Sequence, residues 1–314
     1  MEKIRVGISR CLTGDKIRYD GTGKQDHYLT DTLGRSIEWC PVCPEVECGL
    51  PVPREAMQLV EESDALHLRT THTGIDHTER MVEWSRARLD GISHEGLSGF
   101  IFKSRSPSCA LGGVHIETGA GTSGRKDAGL FATAFTRRFP LIPAEDEERL
   151  RDPGFRENFL IRLFVFKRWQ KFIAGKTSAQ ELIAFHSNHK LLILSHSTKH
   201  YTTLGRLIAT AGDLRAVIHG EYISLLMEGL RLPTTSRKNT NVLLHIAGYF
   251  KKHLSADEKS ELLGLIEEYR KGFLPLAVPL TLLRHYVRKY KQPYLETQFY
   301  LSPHPTELML RNHA

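Results

Sequence analysis

Three stretches in the first 109 residues decide the fold: IRVGISRC at 4–11, IEWCPVC at 37–43 and GFIFKSRSPSC at 99–109. In each stretch a short apolar run of strand type is followed by a cysteine. Apolar runs that alternate with amphipathic stretches are typical of an α/β domain with a largely parallel sheet. Because ligands bind beyond the carboxyl ends of strands in such sheets, we expect Cys11, Cys43 and Cys109 to converge in one crevice.

After residue 140 the sequence changes character. The segment PLIPAEDEERLRDP at 140–153 surrounds an acidic run with three prolines, and we place a domain boundary after residue 145. Apolar residues at helical spacing then predict helices over 155–174, 178–195, 201–211, 214–230, 240–253 and 256–270, and another over 76–89 in the first half. The predicted fold is an α/β N-terminal domain, residues 1–145, followed by an all-α C-terminal domain, residues 146–314.

Charge divides unequally between the two halves of the chain. Residues 1–152 hold 20 Lys and Arg against 24 Asp and Glu, a net charge of −4, whereas residues 153–314 hold 23 against 12, a net charge of +11. Such a basic half indicates a polyanion partner, because Lys and Arg displace counterions condensed on phosphates. Since aromatic rings interleave with these cations and stack on unpaired bases, we expect RNA contacts from Lys190, Lys199, Tyr201, Lys251 and Lys252.

All five cysteines of the 314-residue chain lie in its first 109 residues: Cys11, Cys40, Cys43, Cys48 and Cys109. The longest apolar runs are far shorter than the roughly 18 residues of a membrane span, and the charged start MEKIRVGISRC does not resemble a signal peptide. We therefore expect a cytoplasmic protein without membrane contacts. An odd number of cysteines in that compartment favours metal or thiolate chemistry over a disulfide framework.

Three kinds of site could use these thiols. A zinc site at Cys40 and Cys43 is disfavoured because no second CxxC or paired histidine lies nearby, and a redox CxxC is disfavoured because Pro44 predicts a loop. The remaining interpretation is an iron–sulfur cluster, which normally takes four ligands, so that three cysteines leave one iron open to a sulfur-bearing substrate. His186 and His189 are interpreted as packing histidines, not as a metal pair.

The segment GAGTSG at 119–124 spells GxGxxG. It lies late in its domain and no acidic partner follows at the required distance, so the segment predicts a flexible flap and not a dinucleotide site.

Several motifs together resemble the thiouracil desulfidase family: SRCLTG at 9–14, RYDG at 18–21, PVCPEV at 41–46, GLP at 49–51 and SPSC at 106–109. The second half resembles the helical domain of bacterial tRNA 4-thiouridine desulfidases through FHSNHK at 185–190, LSH at 194–196, NVLLH at 241–245, GYFK at 248–251, YR at 269–270 and QFYLSP at 298–303. Cys48 departs from the small residue that is more common at its position.

This resemblance implies a [4Fe-4S] cluster held by Cys11, Cys43 and Cys109, with one iron not bound by protein and free for the substrate sulfur. It also implies that Glu45 and Ser106 are catalytic. Glu45 would move protons to and from water and the ring, while Ser106 would position water or relay a proton. The reaction would be hydrolytic and non-redox.

Some alternatives stay open at this point. Cys40 or Cys48 could replace one of the three ligands, and Ser104 or Ser108 could take the role of Ser106. The charge of the second half favours tRNA as substrate, whereas free thiouracil or a thionucleotide would use the same chemistry. A metal-stabilised RNA-binding protein without catalysis is the alternative from another functional class. No obligate protein partner is inferred.

Overall fold

The computed structural model describes residues 3–63, 65–118, 121–175, 177–210 and 220–304 of the chain. The chain divides into two compact units, Met1–Asp152 and Pro153–Ala314. The boundary placed after residue 145 falls inside a strand, Ala144–Asp146, which pairs in parallel with Gly99–Phe102 and so belongs to the first unit. Pro143 ends the preceding loop, and the acidic residues after it complete the sheet.

The first unit contains two four-stranded sheets. Its strands are β1 (Ile4–Ser9), β2 (Ile37–Val42), β3 (Met57–Glu62), β4 (Ala65–Thr70), β5 (Gly99–Phe102), β6 (Val114–Thr118), β7 (Gly121–Asp127) and β8 (Ala144–Asp146). The first sheet has the order β2-β1-β5-β8 and all three pairings are parallel. The second sheet, β4-β3-β6-β7, is mixed, with only its central pairing parallel. The α/β prediction and the three predicted strands are confirmed.

The centre of the first sheet is packed on aromatic rings. All four residues of β5 are buried, as expected for a parallel strand covered on both faces. The Phe100 and Phe102 rings stack at 4.1 Å, and Phe131 and Phe135 pack against them. At Gly7 in β1 an added Cβ would lie 2.1 Å from the Phe100 ring, so the close approach of these strands requires glycine there.

Residues 121–124 of the glycine-rich segment are part of β7, which pairs antiparallel with β6. The flexible-flap prediction is therefore wrong for these residues, because backbone hydrogen bonds to β6 hold them in a sheet. Residues 119 and 120 lie outside the described residues.

The described part of the first unit contains three α-helices, α1 (Pro44–Glu47), α2 (Thr78–His94) and α3 (Leu130–Arg138). The loop predicted from Pro44 is wrong for residues 44–47, because proline is tolerated in the first turn of α1. The helix predicted over 76–89 corresponds to α2 but begins and ends later. Met81 and Leu89 are buried, whereas Ile75 and Val82 are 54% and 45% exposed. The buried stripe continues to Ile92, which gives α2 its last turn.

The second unit is helical: α4 (Pro153–Ala174), α5 (Ala179–His196), α6 (Thr198–Thr210), α7 (Glu221–Arg231), α8 (Ser236–Ala247), α9 (Ala256–Arg270), α10 (Ala277–Lys289) and α11 (Pro293–Glu296). The prediction of a helical second half is confirmed. Residues 211–219 of the helices predicted over 201–211 and 214–230 lie outside the described residues. The one predicted over 240–253 ends earlier, where Gly248–Phe250 tighten into a 3-10 turn.

Local sequence explains several helix ends. Ser255 and Glu258 form the reciprocal capping box at the start of α9. Helix α10 was not predicted. Pro279 is its third residue, and proline is tolerated in a first turn because no N–H donor is needed there. None of the described helices combines the length and apolarity needed to cross a bilayer.

Candidate active site

A cavity of about 700 Å³ lies at the carboxyl ends of the first sheet. Its lining includes residues at or directly after the end of each of the four strands: 9–11 after β1, 42–45 after β2, 103–109 after β5 and 147–148 after β8. The structure brings the five residues of the expected site to this cavity: Cys11, Cys43, Glu45, Ser106 and Cys109. The parallel topology thus gathers residues that are far apart in sequence.

Backbone hydrogen bonds fix the loop that carries Cys11. The Cys11 carbonyl accepts the Lys24 N–H at 2.9 Å and the Gly14 N–H at 3.3 Å. Gly14 has φ +103°, a left-handed conformation that favours glycine. The thiol position is therefore set by a turn built into the SRCLTG motif.

Cys43 and Cys109 are held by side-chain acceptors. The Cys43 N–H donates to Glu47 Oε1 at 2.8 Å, and the Cys109 N–H donates to Ser106 Oγ at 3.2 Å. An added Cβ at Gly129 would lie 2.5 Å from the Ser108 carbonyl carbon, so the start of α3 packs directly on the loop before Cys109. Both thiols are thus presented by segments with little freedom.

Burial raises the pKa of all three thiols. The pKa of Cys11 rises to about 12, and the pKa values of Cys43 and Cys109 also rise, mainly because the interior disfavours a thiolate. A charge on Cys43 raises the pKa of both Cys11 and Cys109 further, which indicates that the three groups act on one another. Without a metal group to stabilise thiolates, these side chains are neutral at pH 7.

Cys40 and Cys48 do not line the cavity. Cys40 is 8% exposed and belongs to the apolar cluster that includes Phe100. The Cys48 thiol donates to the Glu45 carbonyl at 3.2 Å and packs against the cluster around Leu59. Both therefore have packing roles, and the CxxC of the sequence does not form a paired site.

Glu45 accepts hydrogen bonds on both oxygens. Arg54 Nε donates to Glu45 Oε2 at 2.8 Å and its Nη2 contacts the same oxygen, so the guanidinium holds the carboxylate through two donors. The Ser108 hydroxyl donates to Glu45 Oε1 at 2.7 Å. The Arg54 and Glu45 side chains are only 6% and 13% exposed, which fixes the carboxylate against the cavity wall.

The two serines of the SPSC motif form a short hydrogen-bonded line to Glu45. Ser106 Oγ and Ser108 Oγ lie 2.9 Å apart. Because the single Ser108 proton goes to the carboxylate, Ser106 donates its own proton to Ser108 Oγ. Ser106 Oγ then accepts the Cys109 N–H, so the line Ser106–Ser108–Glu45 begins beside one of the thiols.

Ser104 belongs to a different network on the same cavity. Its N–H donates to Glu147 Oε2 at 2.7 Å and its hydroxyl to Glu147 Oε1 at 2.8 Å. Lys103 contacts the same carboxylate, which is 4% exposed, and its Nζ donates to the Ser104 carbonyl at 3.0 Å. Ser104 therefore ties the end of β5 to the end of β8, and its proton is not available to Glu45.

Cations outnumber carboxylates in the described lining of the cavity. The Lys and Arg side chains are Arg10, Arg18, Lys24, Arg54, Lys103, Arg105 and Arg151, and the carboxylates are Glu45, Glu147 and Glu148. Such a surface attracts anions. Among the residues that the structure describes, no three His, Cys, Asp or Glu side chains are grouped closely enough to hold a single metal ion.

The residues expected to contact RNA all lie in the second unit. Lys190 Nζ lies 5.8 Å from the centroid of the Tyr201 ring, and Lys199, Lys251 and Lys252 are exposed. The structure thus brings Lys190 and Tyr201 together. His186 and His189 of α5 are 5% and 0% exposed, in agreement with their interpretation as packing histidines.

Sequence reasoning missed Arg54, Lys103 and Glu147. Lys103 directly follows a predicted strand, which was a usable signal for a residue at the sheet edge. Arg54 and Glu147 carried no such signal, because their importance comes from partners 9 and 44 positions away in the chain. Ser108 was predicted as an alternative to Ser106 for the second catalytic role, and both serines belong to the hydrogen-bonded line to Glu45.

Comparison with known proteins finds relatives for both halves of the chain. Residues 6–147 match the family model described as 2-thiouracil desulfurase, and residues 190–305 match one described as a protein of unknown function, DUF1722. Over 160 residues the chain is 31% identical to the uncharacterized protein YbgA of Escherichia coli (strain K12), a match that covers 50% of this chain and 95% of YbgA. The [4Fe-4S]-dependent thiouracil desulfidase TudS is 31% identical, with 48% of this chain and 94% of that chain covered and a TM-score of 0.38. The chain thus belongs to the same family as YbgA, its residues 6–147 match the 2-thiouracil desulfurase family model, and its residues 190–305 match the DUF1722 model.

Proposed function

We propose that this protein is a [4Fe-4S]-dependent desulfidase that removes sulfur from thiolated uracil in tRNA, namely 4-thiouridine. One observation carries the proposal: Cys11, Cys43 and Cys109 follow three neighbouring parallel strands and line one cavity with Glu45 and Ser106. The match of residues 6–147 to the 2-thiouracil desulfurase family supports the type of reaction.

The three thiols suit an iron–sulfur cluster by their chemistry. Thiolates are soft ligands that iron–sulfur clusters take, and a cluster offers a different iron to each of them, so the thiols need not surround a single ion. Because burial raises the pKa of each thiol, all three must lose a proton when they bind, and the positive irons stabilise the thiolates. Cys11, Cys43 and Cys109 would hold the cluster.

The described lining supports a cluster with one iron not bound by protein. It includes three cysteines and no histidine, while Cys40 and Cys48 lie elsewhere. The carboxylates of Glu45, Glu147 and Glu148 form ion pairs with Arg54, Lys103 and Arg105. If one of these carboxylates were the fourth ligand, it would have to break its ion pair.

The net reaction that we propose exchanges sulfur for oxygen at one carbon of the base. A C–O bond to water forms and a C–S bond breaks, so thiolated uracil and water give uracil and hydrogen sulfide. Carbon keeps its oxidation state, and no redox cosubstrate takes part. When bound, a cluster with an open iron supplies a soft Lewis acid suited to a thiocarbonyl sulfur.

The line Ser106–Ser108–Glu45 accounts for the proton transfers. Water that attacks the ring must lose a proton, and a water bound to Ser106 can pass that proton over two hydroxyl groups to the Glu45 carboxylate. The same line returns a proton to the departing sulfur or the ring. Arg54 keeps the carboxylate oriented through its two donors and is a positioning residue.

Charge supports tRNA as the substrate. The net charge of +11 over residues 153–314 favours binding of a polyanion, whereas it would not help to bind a neutral free base. The cationic lining of the cavity favours a second candidate, a thionucleotide, over free thiouracil, because a phosphate group would find cations there. Parallel turnover assays on thiouracil, 4-thiouridine, its monophosphate and tRNA separate these substrates.

The direct test is anaerobic reconstitution with iron and sulfide, followed by nucleoside analysis of treated tRNA. We expect a brown protein with about four irons per chain that converts 4-thiouridine to uridine without added reductant. Cys11→Ala, Cys43→Ala and Cys109→Ala should lose the cluster, whereas the matched controls Cys40→Ala and Cys48→Ala should keep it. A colourless zinc protein that leaves tRNA unchanged would contradict the proposal.

A further inference from the structure

We propose that an aromatic and basic surface on the second unit binds unpaired bases of RNA by stacking. This surface, called here the tyrosine surface, consists of Lys190, Tyr201, His245, Tyr249 and Tyr294. The inference rests on the proposed tRNA substrate and adds which side chains would receive its bases. Tyr294 was not among the predicted RNA contacts.

Ring geometry defines the tyrosine surface. The rings of Tyr249 and Tyr294 stack with centroids 5.6 Å apart and an interplanar angle of 19°. His245 meets Tyr249 edge to face at 5.9 Å, and Lys190 Nζ lies 5.8 Å from the Tyr201 centroid. These distances fall in the range of favourable aromatic and cation–π contacts.

The three tyrosines come from separate elements and lie near one another. Burial and the nearby phenols of Tyr249 and Tyr201 raise the pKa of Tyr294 to about 12. Tyr201 lies on α6, Tyr249 on the turn after α8, and Tyr294 on α11. The tertiary fold, and not a local sequence motif, brings them together.

Buried hydrogen bonds hold the segment after α11 beside α5, which carries Lys190. Gln298, 2% exposed, accepts the Leu191 N–H at 3.4 Å and donates from Nε2 to the Ser187 carbonyl at 2.8 Å. The Phe299 N–H donates to the Asn188 carbonyl at 3.0 Å. Because this segment is tied to α5, the surface is preorganised.

Exposure and charge suit RNA as the occupant. Tyr249 is 39% exposed, and Tyr201 and Tyr294 are half-buried, in contrast to the tyrosines of the core. The exposed Lys251 and Lys252 follow Tyr249 within three residues. Flat rings that take any base, next to cations that take phosphates, are the combination used to bind single-stranded nucleic acid.

The test uses the full chain with its cluster and a double variant, Tyr249→Ala with Tyr294→Ala. We expect its affinity for labelled tRNA and for a single-stranded oligouridylate to fall by about tenfold or more, since one stacked base is worth ~1–3 kcal/mol. Turnover of the free nucleoside 4-thiouridine should be unchanged. The control is Phe273→Ala, which removes an aromatic ring that is 75% exposed and should leave RNA affinity unchanged.

A second variant keeps the test valid if the double variant does not fold. Tyr249→Trp should give a fluorescence change on titration with oligouridylate that the wild-type tryptophans do not give. Unchanged tRNA affinity of a folded double variant would overturn the inference while leaving the desulfidase proposal intact. If Tyr249→Trp binds RNA but its fluorescence changes no more than that of the wild type, this result would also overturn the inference and leave the desulfidase proposal intact. A wild-type protein that does not act on 4-thiouridine would instead overturn the proposed function.

Discussion

At the scale of single residues, the proposed chemistry depends on where the hydroxyl proton of Ser108 goes. Ser108 is fully buried and its proton is committed to Glu45, so this residue connects Ser106 to the carboxylate. The sequence motifs predict Ser106 and Glu45 as catalytic residues, and they left Ser104 and Ser108 open as alternatives to Ser106. A decision between these two required the positions of two carboxylates, Glu45 and Glu147, which bind different serines.

Removal of the middle hydroxyl in Ser108→Ala should break this line. We expect kcat for 4-thiouridine to fall by about 10²-fold or more, as in Glu45→Gln, because general acid–base transfer is worth about 10²–10⁴-fold. Iron content and the visible spectrum should stay at wild-type levels. The measurement is anaerobic steady-state turnover.

The matched control for that variant is Ser93→Ala, which removes a hydroxyl bonded to the Asp90 carbonyl on α2, at 2.6 Å. It should keep wild-type turnover. Equal activity of Ser108→Ala and Ser93→Ala would show that the serine line does not carry protons.

At the scale of elements, β1, β2 and β5 were predictable because each is an apolar run bounded by polar or turn residues. The second sheet was not predicted. Its β3, MQLVEE, and β4, ALHLRT, mix polar with apolar residues. They gain their strand character from pairing with each other, and β3 also pairs with β6. The observed helix ends differ from the predicted ones for a similar reason. Tertiary burial, and not the local sequence pattern, determines where the last turn of a helix lies.

A pair of glycine variants tests the packing of β1 on β5. Gly7→Ala should lower the free energy of unfolding by about 1–3 kcal/mol or more, because its Cβ would overlap the Phe100 ring. Gly91→Ala, on the exposed side of α2 with only the Arg88 side chain at 3.4 Å, should raise stability by about 0.5–1 kcal/mol. Urea midpoints of both variants provide the measurement, and a neutral Gly7→Ala would contradict this packing.

The buried histidines of α5 make the stability of the second unit depend on pH. Burial lowers the pKa of His186 to about 4 from its ordinary 6.5, so the unfolded chain binds this proton more readily than the folded protein. Stability is therefore complete above about pH 6.5 and is lost as the pH falls toward 4. We expect the thermal midpoint to fall over this range.

His186→Gln removes one titrating group and should reduce that pH dependence, with the remainder due to His189, whose pKa burial also lowers. Thermal unfolding at several pH values measures it. Parallel curves for the wild type and His186→Gln would contradict the assignment of this pH dependence to His186.

At the scale of the whole molecule, an acidic α/β unit and a basic helical unit share one chain. The charge difference was evident from the sequence, as net charges of −4 and +11. The tyrosine surface was not evident, because its rings come from elements far apart in the chain, with Tyr201 on α6 and Tyr294 on α11. Composition thus predicts a polyanion as the partner, and the tertiary structure determines which side chains would contact it.

Binding of tRNA to the whole protein should depend steeply on salt. The triple variant Lys190→Ala, Lys251→Ala, Lys252→Ala should bind RNA more weakly, whatever the RNA sequence. It should also lower the magnitude of the slope of log affinity against log salt concentration by about one for each phosphate contact that is lost. Fluorescence anisotropy over a salt series measures both. A wild-type affinity that does not change with salt would contradict an electrostatic role for the second unit.

The central claim is that Cys11, Cys43 and Cys109 hold a cluster with one iron left for the substrate sulfur. Mössbauer spectroscopy of protein reconstituted anaerobically with iron-57, with and without 4-thiouridine, tests it most directly. The account predicts that the nucleoside changes the signal of about one of the four irons and leaves the others as they were. Four equivalent irons that do not respond to the nucleoside, or the absence of a four-iron cluster, would contradict it.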